Sequence, residues 1–127
     1  MQKSATIKGR PSQGDHMEIR STPMKHCVLV QVIGKLDGSS APELSEQLKG
    51  ITHEGNYRIV LDMGKLEFIS SAGLWVLVNT QKECKRFNRG EVVFAEVPSK
   101  IYNALDLAGF THYYKLFKTS AEAVGYF

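Results

Sequence analysis

The chain has 127 residues, 43% of them hydrophobic and 23% charged, which fits one packed domain and excludes both a disordered chain and one carrying a membrane-length apolar run. Its formal charge of +3 is uneven: Lys3, Lys8 and Arg10 against Asp15 give residues 1–16 a net +2, and the rest holds 13 basic against 12 acidic residues. So small a net field predicts no nucleic-acid partner and no insertion into a membrane.

Residues 1–16 are polar, contain Gly, Pro and Ser, and lack sustained periodicity. They read as a flexible N-terminal extension or an expression remnant, with Met17 as the native start and residues 17–127 as the folded domain. No apolar stretch follows the first charges, so a secretory signal is not expected and the predicted location is cytoplasmic. Cys27 and Cys84 stand far apart in apolar settings without zinc-ligand spacing, and read as buried small hydrophobes.

Val28-Leu29-Val30-Gln31-Val32-Ile33-Gly34 is a β-branched run that predicts a central strand buried on both faces. Ser39, Ser40 and Pro42 then open a helix over residues 40–52, with Leu44, Leu48 and Ile51 at helical spacing. A second strand follows at residues 57–63, parallel to the first, and Lys65-Leu66-Glu67-Phe68-Ile69 leads into Ser70-Ser71-Ala72-Gly73. From there Leu74, Leu77, Val78 and Cys84 predict an apolar helical face that runs to about Asn88-Arg89-Gly90. A strand at residues 91–97, a third helix carrying Ile101, Leu105 and Leu107, a short strand at 114–117 and a terminal helix opened by the Thr119 to Glu122 capping box complete the pattern. The fold class is therefore α/β, with α+β character: a mixed sheet of four to five strands flanked by about four helices.

Enzyme signatures are missing. No GxxxxGK[ST], GxGxxG or HExxH motif occurs, and His16, His26, His53 and His112 are scattered without companion carboxylates or nucleophiles. The reading is a binding protein with no catalytic residue, no metal site and no cofactor.

The concentrated feature is the turn Phe68-Ile69-Ser70-Ser71-Ala72-Gly73-Leu74. A phosphate on a serine there would meet free backbone N–H groups and the positive end of a helix dipole. Advancing 100° per residue puts Ser71, Trp75, Lys82, Arg86 and Arg89 on one side of the helix, and Lys82, Lys85, Arg86 and Arg89 form a basic strip beside the tryptophan. That side reads as a docking surface with an aromatic anchor and a basic rim.

Gly34-Lys35-Leu36-Asp37, Ile59-Val60-Leu61-Asp62 and Phe68-Ile69-Ser70-Ser71-Ala72-Gly73-Leu74 together resemble the consecutive hallmarks of STAS domains and of bacterial anti-sigma factor antagonists. The resemblance implies a STAS-type fold and phosphorylation at Ser71 by an anti-sigma factor that is also a serine kinase, a histidine-kinase-like ATPase. The unphosphorylated form would bind this kinase and free a sigma factor, and a phosphatase would reset the switch. Many such antagonists carry Asp just before the acceptor; this chain has Ser70, which stands as the alternative acceptor. Partner-binding residues are then Asp37, Ser70, Ser71, Gly73, Trp75, Lys82 and Arg86, with Asp37 and Asp62 near the serine turn. The expected state is a monomer or weak dimer. The alternative function is a non-phosphorylated STAS adaptor in a stress-signalling or lipid-transport complex.

Overall fold

In the computed structural model, residues 5–8 and 17–127 are described. In chain order the elements are β1 (Ala5–Lys8), β2 (Glu18–Pro23), β3 (Val28–Leu36), α1 (Ala41–His53), β4 (Arg58–Asp62), β5 (Leu66–Ile69), α2 (Ser71–Lys85), β6 (Glu91–Ala95), α3 (Ser99–Leu107), β7 (Leu116–Phe117) and α4 (Ser120–Tyr126). The described residues form a mixed sheet in the order β1-β2-β3-β4-β6-β7, with β5 paired to β3 off that path. β2 runs antiparallel to both of its neighbours, β1 and β3, and β3, β4, β6 and β7 run parallel. The mixed α/β class read from the sequence is the observed one, and the sheet is wider than four to five strands because β1 and β2 extend it beyond β3. Part of the segment read as a flexible extension is thus strand β1; the rest of residues 1–16 lies outside the described residues.

Alternation along the strands explains the two-sided burial. Ile59 and Leu61 of β4, with Val92 and Phe94 of β6, face a main core shared with α1, α2 and α3. Val60, Val93 and Ala95 face the other way, into a small cluster capped by Ala123 of α4. Strands β4 and β6 are therefore the ones buried on both faces. β3 buries Val28, Val30 and Val32 on one side only, with half-buried residues between, so the double burial expected of it is found in β4 and β6 instead.

β3 changes partner along its length. Its first half pairs with β4 (Val28↔Ile59 to Gln31↔Asp62), and its last residues pair with β5 (Gly34↔Leu66, Lys35↔Phe68, Leu36↔Ile69), with a register shift at Gly34/Lys35. Gly34 sits at φ 104 where the shift occurs, a conformation that side chains disfavour. This bulge lets β5 lie beside the end of β3 and delivers the serine turn to that end of the sheet.

One helix end and one core position differ from the sequence reading. α2 stops at Lys85, because Phe87 and Asn88 turn left-handed at φ 58 and 56, and Arg86 already has extended ψ at 130. Leu107, read as a core position of α3, is 90% exposed, since the buried stripe of that helix is Ile101 and Leu105 and the chain turns away at Gly109 (φ 82). The expected α1 face of Leu44, Leu48 and Ile51 is buried, and Thr119 caps α4 by accepting from the Glu122 N–H at 3.1 Å.

Candidate functional site: the serine turn and the exposed side of α2

The turn between β5 and α2 is tied to the end of β3. The Ser70 N–H donates to the Leu36 carbonyl at 2.9 Å, which prolongs the β3–β5 ladder by one bond and places Asp37 beside the turn. Ser70 is extended (φ −101, ψ 174) and acts as N-cap, its hydroxyl oxygen accepting from the Gly73 N–H at 3.5 Å. Ser71 is the first helical residue and is exposed; among the described residues its hydroxyl has no hydrogen-bond partner. The two serines thus divide the work: one closes the helix, and the other presents its oxygen to solvent. With no base hydrogen-bonded to it, that oxygen is an unactivated alcohol.

Nothing in the first turn of α2 is acidic, so the positive end of the helix is uncompensated by carboxylates within its own first turn. An anion added at Ser71 meets a favourable field of about 0.3–1 kcal/mol at such an exposed terminus.

Gly73, expected to touch a partner, is buried instead. A Cβ there would lie 2.6 Å from Leu36 Cγ and 3.1 Å from Ile69 Cγ1, so glycine is what allows the first turn of α2 to rest on the ends of β3 and β5. It positions the serine turn and offers no surface.

Asp37 organises the neighbouring loop. Its Oδ1 accepts from the Ser39 hydroxyl at 2.7 Å, the Ser39 N–H at 3.0 Å and the Ser40 N–H at 3.2 Å; the Ser39 hydroxyl above all, with the backbone N–H groups, holds its carboxyl below the usual range. The Ser40 hydroxyl donates to the Lys35 carbonyl at 2.7 Å, so it braces β3 where a side-chain cap on α1 was expected. Asp62 is not brought to the turn. Its side chain points to the α4 side of the sheet, where it accepts from the Gly64 N–H and from the Ser120 hydroxyl, each at 2.9 Å.

Trp75, one turn beyond Ser71, is 63% exposed. Phe68, just before the turn, is 44% exposed and adds a second aromatic that the sequence does not reveal, because an aromatic in a short strand carries no local sign of facing outward. Lys82 continues the exposed side of α2. Arg86 is exposed too, but it follows the last helical residue and lies 3.9 Å from Glu83 and 5.2 Å from the centre of the Phe87 ring.

Arg89 leaves the expected basic strip altogether. Because the helix has ended, its guanidinium folds back 3.8 Å above the Tyr57 ring and donates to the Tyr57 hydroxyl at 2.9 Å, and to the Glu83 carbonyl and carboxylate at 2.6 and 3.0 Å. The buried side of α2 also differs from the Leu74-Leu77-Val78-Cys84 expectation, since it includes Gly73, Val76, Thr80 and Gln81. The Gln81 amide donates to the Val92 carbonyl at 3.1 Å and accepts from the Val92 N–H at 2.6 Å, serving as a surrogate strand partner where β7 does not reach. Among the described residues no cluster of His, Cys, Asp and Glu is placed to hold a metal ion, and no helix is long and apolar enough to cross a membrane.

The family profile described as "STAS domain" matches residues 18–123. BtrV of Bordetella bronchiseptica, named as an anti-sigma factor antagonist, is 32% identical over 77 residues, which span 61% of this chain and 66% of that protein. Among solved structures, an anti-sigma factor antagonist from Mycobacterium paratuberculosis superposes with a TM-score of 0.75 at 21% identity, covering 93% of this chain and 97% of the other. The antagonist SpoIIAA, in its unphosphorylated form, gives 0.71 at 12% identity over 96% of this chain and 95% of its own. The phosphorylated form of the Bacillus protein gives 0.65 at 13% identity over 96% and 98%.

Proposed function

Since the chain belongs to the STAS domain family, we propose that it is an anti-sigma factor antagonist whose unphosphorylated form binds an anti-sigma factor with serine kinase activity, releasing a sigma factor, and whose phosphorylation at Ser71 ends that binding. The name of the relative BtrV and the two phosphorylation states of SpoIIAA support this reading. The observation that carries it is the division of labour at the turn: Ser70 is engaged as N-cap, and Ser71 is exposed and unbonded at the head of α2.

The mechanism follows from electrostatics and packing. Phosphorylation adds a charge of about −1.5 to −2 beside Trp75 and Phe68 without disturbing a buried residue, so the fold persists and the docking surface changes. A partner surface fitted closely around an aromatic anchor and an uncharged hydroxyl then meets a desolvated dianion, which costs binding by steric exclusion and by burial of charge. A histidine-kinase-like ATPase as kinase, a phosphatase that reverses the modification, a cytoplasmic location and the absence of intrinsic catalysis belong to the same reading. Residues 17–127 act in it as the single switching domain.

Incubating the protein with its cognate kinase and ATP, then locating phosphate by tandem mass spectrometry, tests the acceptor. Phosphate on Ser71, absent from Ser71→Ala and retained in Ser70→Ala, is the expected result. An unmodified protein that still binds its partner would favour the constitutive adaptor, and phosphate on Ser70 would reassign the acceptor.

A further inference from the structure

A cavity of about 540 Å³ opens between the C-terminal half of α2 and the segment after α3, away from the serine turn. Its walls are Val78, Ala108, Phe110, Tyr113 and Tyr114, and its rim carries Lys82 and Lys85. The aromatic wall is preformed. Tyr114 is stacked between Phe94 (4.6 Å between centroids) and Phe110 (5.1 Å), and its hydroxyl donates to the Leu77 carbonyl at 3.2 Å, so it turns carbon to the cavity and spends its polar end on α2. The Gln81 side chain also borders the space, but both ends of its amide are bonded to Val92.

The charges around this space are one-sided. Lys82 and Lys85 have no ion-pair partner among the described residues, and no carboxylate lines the cavity. The acids on the adjoining elements are engaged elsewhere: Glu83 with Arg89, and Asp106 with the Thr111 hydroxyl at 2.6 Å. Tyr113 at the mouth is 77% exposed. An apolar hollow of this volume with a few convergent polar groups has the make-up of a small-molecule site, and two unpaired ammonium groups at its edge select the sign of the ligand's head group.

The geometry points to a binding site for an amphipathic carboxylate, a fatty or aromatic acid whose apolar body lies against Val78, Phe110 and Tyr114 and whose carboxylate sits between Lys82 and Lys85. This site is distinct from the serine turn and does not depend on phosphorylation.

The test is a titration of the ¹⁵N-labelled full chain with decanoate and decyltrimethylammonium, each kept below its micelle concentration, and with decanol kept below its solubility limit. Decanoate should saturate and shift amide signals at Val78, Lys82, Ala108 and Tyr113, and the cationic amphiphile should bind clearly more weakly. Lys82→Gln with Lys85→Gln should weaken decanoate about tenfold, as expected for two partly exposed ion pairs, and leave decanol unchanged. Ala108→Trp, at an exposed position on the mouth, should block both neutral and anionic ligands; a circular dichroism spectrum verifies its fold, and should it not fold the lysine pair decides the question alone. Equal binding of the two charged amphiphiles, shifts located elsewhere, or no saturation at all would overturn the proposal.

Discussion

Replacing Gly73 with Ala probes the packing that sets the serine turn in place. In a free helix the change gains about 1 kcal/mol of helix propensity. Here the new methyl carbon would stand 2.6 Å from Leu36 Cγ and 2.9 Å from its Cδ2, with Ile69 Cγ1 at 3.1 Å. Leu36 is itself fully buried and its Cγ is a branch point, so it cannot swing aside as the tip of a long side chain would. Overpacking of this kind costs about 1–3 kcal/mol. A second cost arises if the first turn of α2 lifts to make room, because the Ser70–Leu36 bond then stretches. The sum favours destabilisation by about 1–2 kcal/mol, which lowers Tm by roughly 3–8 °C in a chain of this size. Urea denaturation followed by the fluorescence of Trp75, the only tryptophan, gives the midpoint, and the m-value tests whether the unfolded states match. Leu36→Ala in the Gly73→Ala background should recover part of the clash energy and so cost less than it does alone. A Gly73→Ala protein as stable as the parent, or more so, would refute the packing argument.

Three further outcomes follow from single contacts. Ser70→Ala removes an N-cap with a long bond and should cost about 0.5–1 kcal/mol in thermal or urea unfolding, whereas Ser71→Ala, which loses no bond, should stay within about 0.5 kcal/mol. Gln81→Leu keeps the volume but leaves the Val92 N–H and carbonyl without their side-chain partner, and should lower stability by about 1–3 kcal/mol, with faster amide exchange at Val92. Burial raises the Cys84 thiol from 9.0 to about 12 and the Tyr114 hydroxyl from 10.0 to about 12. Both are neutral when protonated, and the unfolded chain loses those protons first. Their contribution is therefore full below about pH 9 and declines as pH climbs towards 12. Urea midpoints measured from pH 8 to 11 should fall, and the fall should be shallower in Cys84→Ala; a flat profile would contradict the burial of both groups.

Much of this architecture is legible in the amino-acid order because burial repeats with the period of each element. The β-branched runs of β4 and β6 and the Leu44-Leu48-Ile51 stripe of α1 announce their strand and helix directly. Strand β2 leaves no such signal, because Ile19 is its only fully buried residue and its remaining positions are polar or half-covered. Helix periodicity carried Arg89 onto the exposed side of α2, but periodicity has no access to the left-handed Phe87-Asn88 turn that sends Arg89 back to Tyr57. The same limit applies to Gly73. A glycine next to two serines is compatible with a surface turn or with a close approach to another element, and only the position of Leu36 decides between them. Trp75 is the opposite case, since helical phase alone places it on the exposed side with Ser71. The cavity beside Tyr113 and Tyr114 arises from residues about thirty positions apart, which no local pattern joins.

The most direct test of the account is the affinity of the cognate anti-sigma factor for the protein with and without phosphate on Ser71, measured by calorimetry on the two purified forms. Tight binding of the unmodified form, a loss of about a hundredfold or more on phosphorylation, and unchanged thermal stability of the free protein are expected, because the added charge sits on an exposed helix terminus and not in the core. Equal affinity of the two forms, or a phosphorylated protein that has lost its fold, would contradict it.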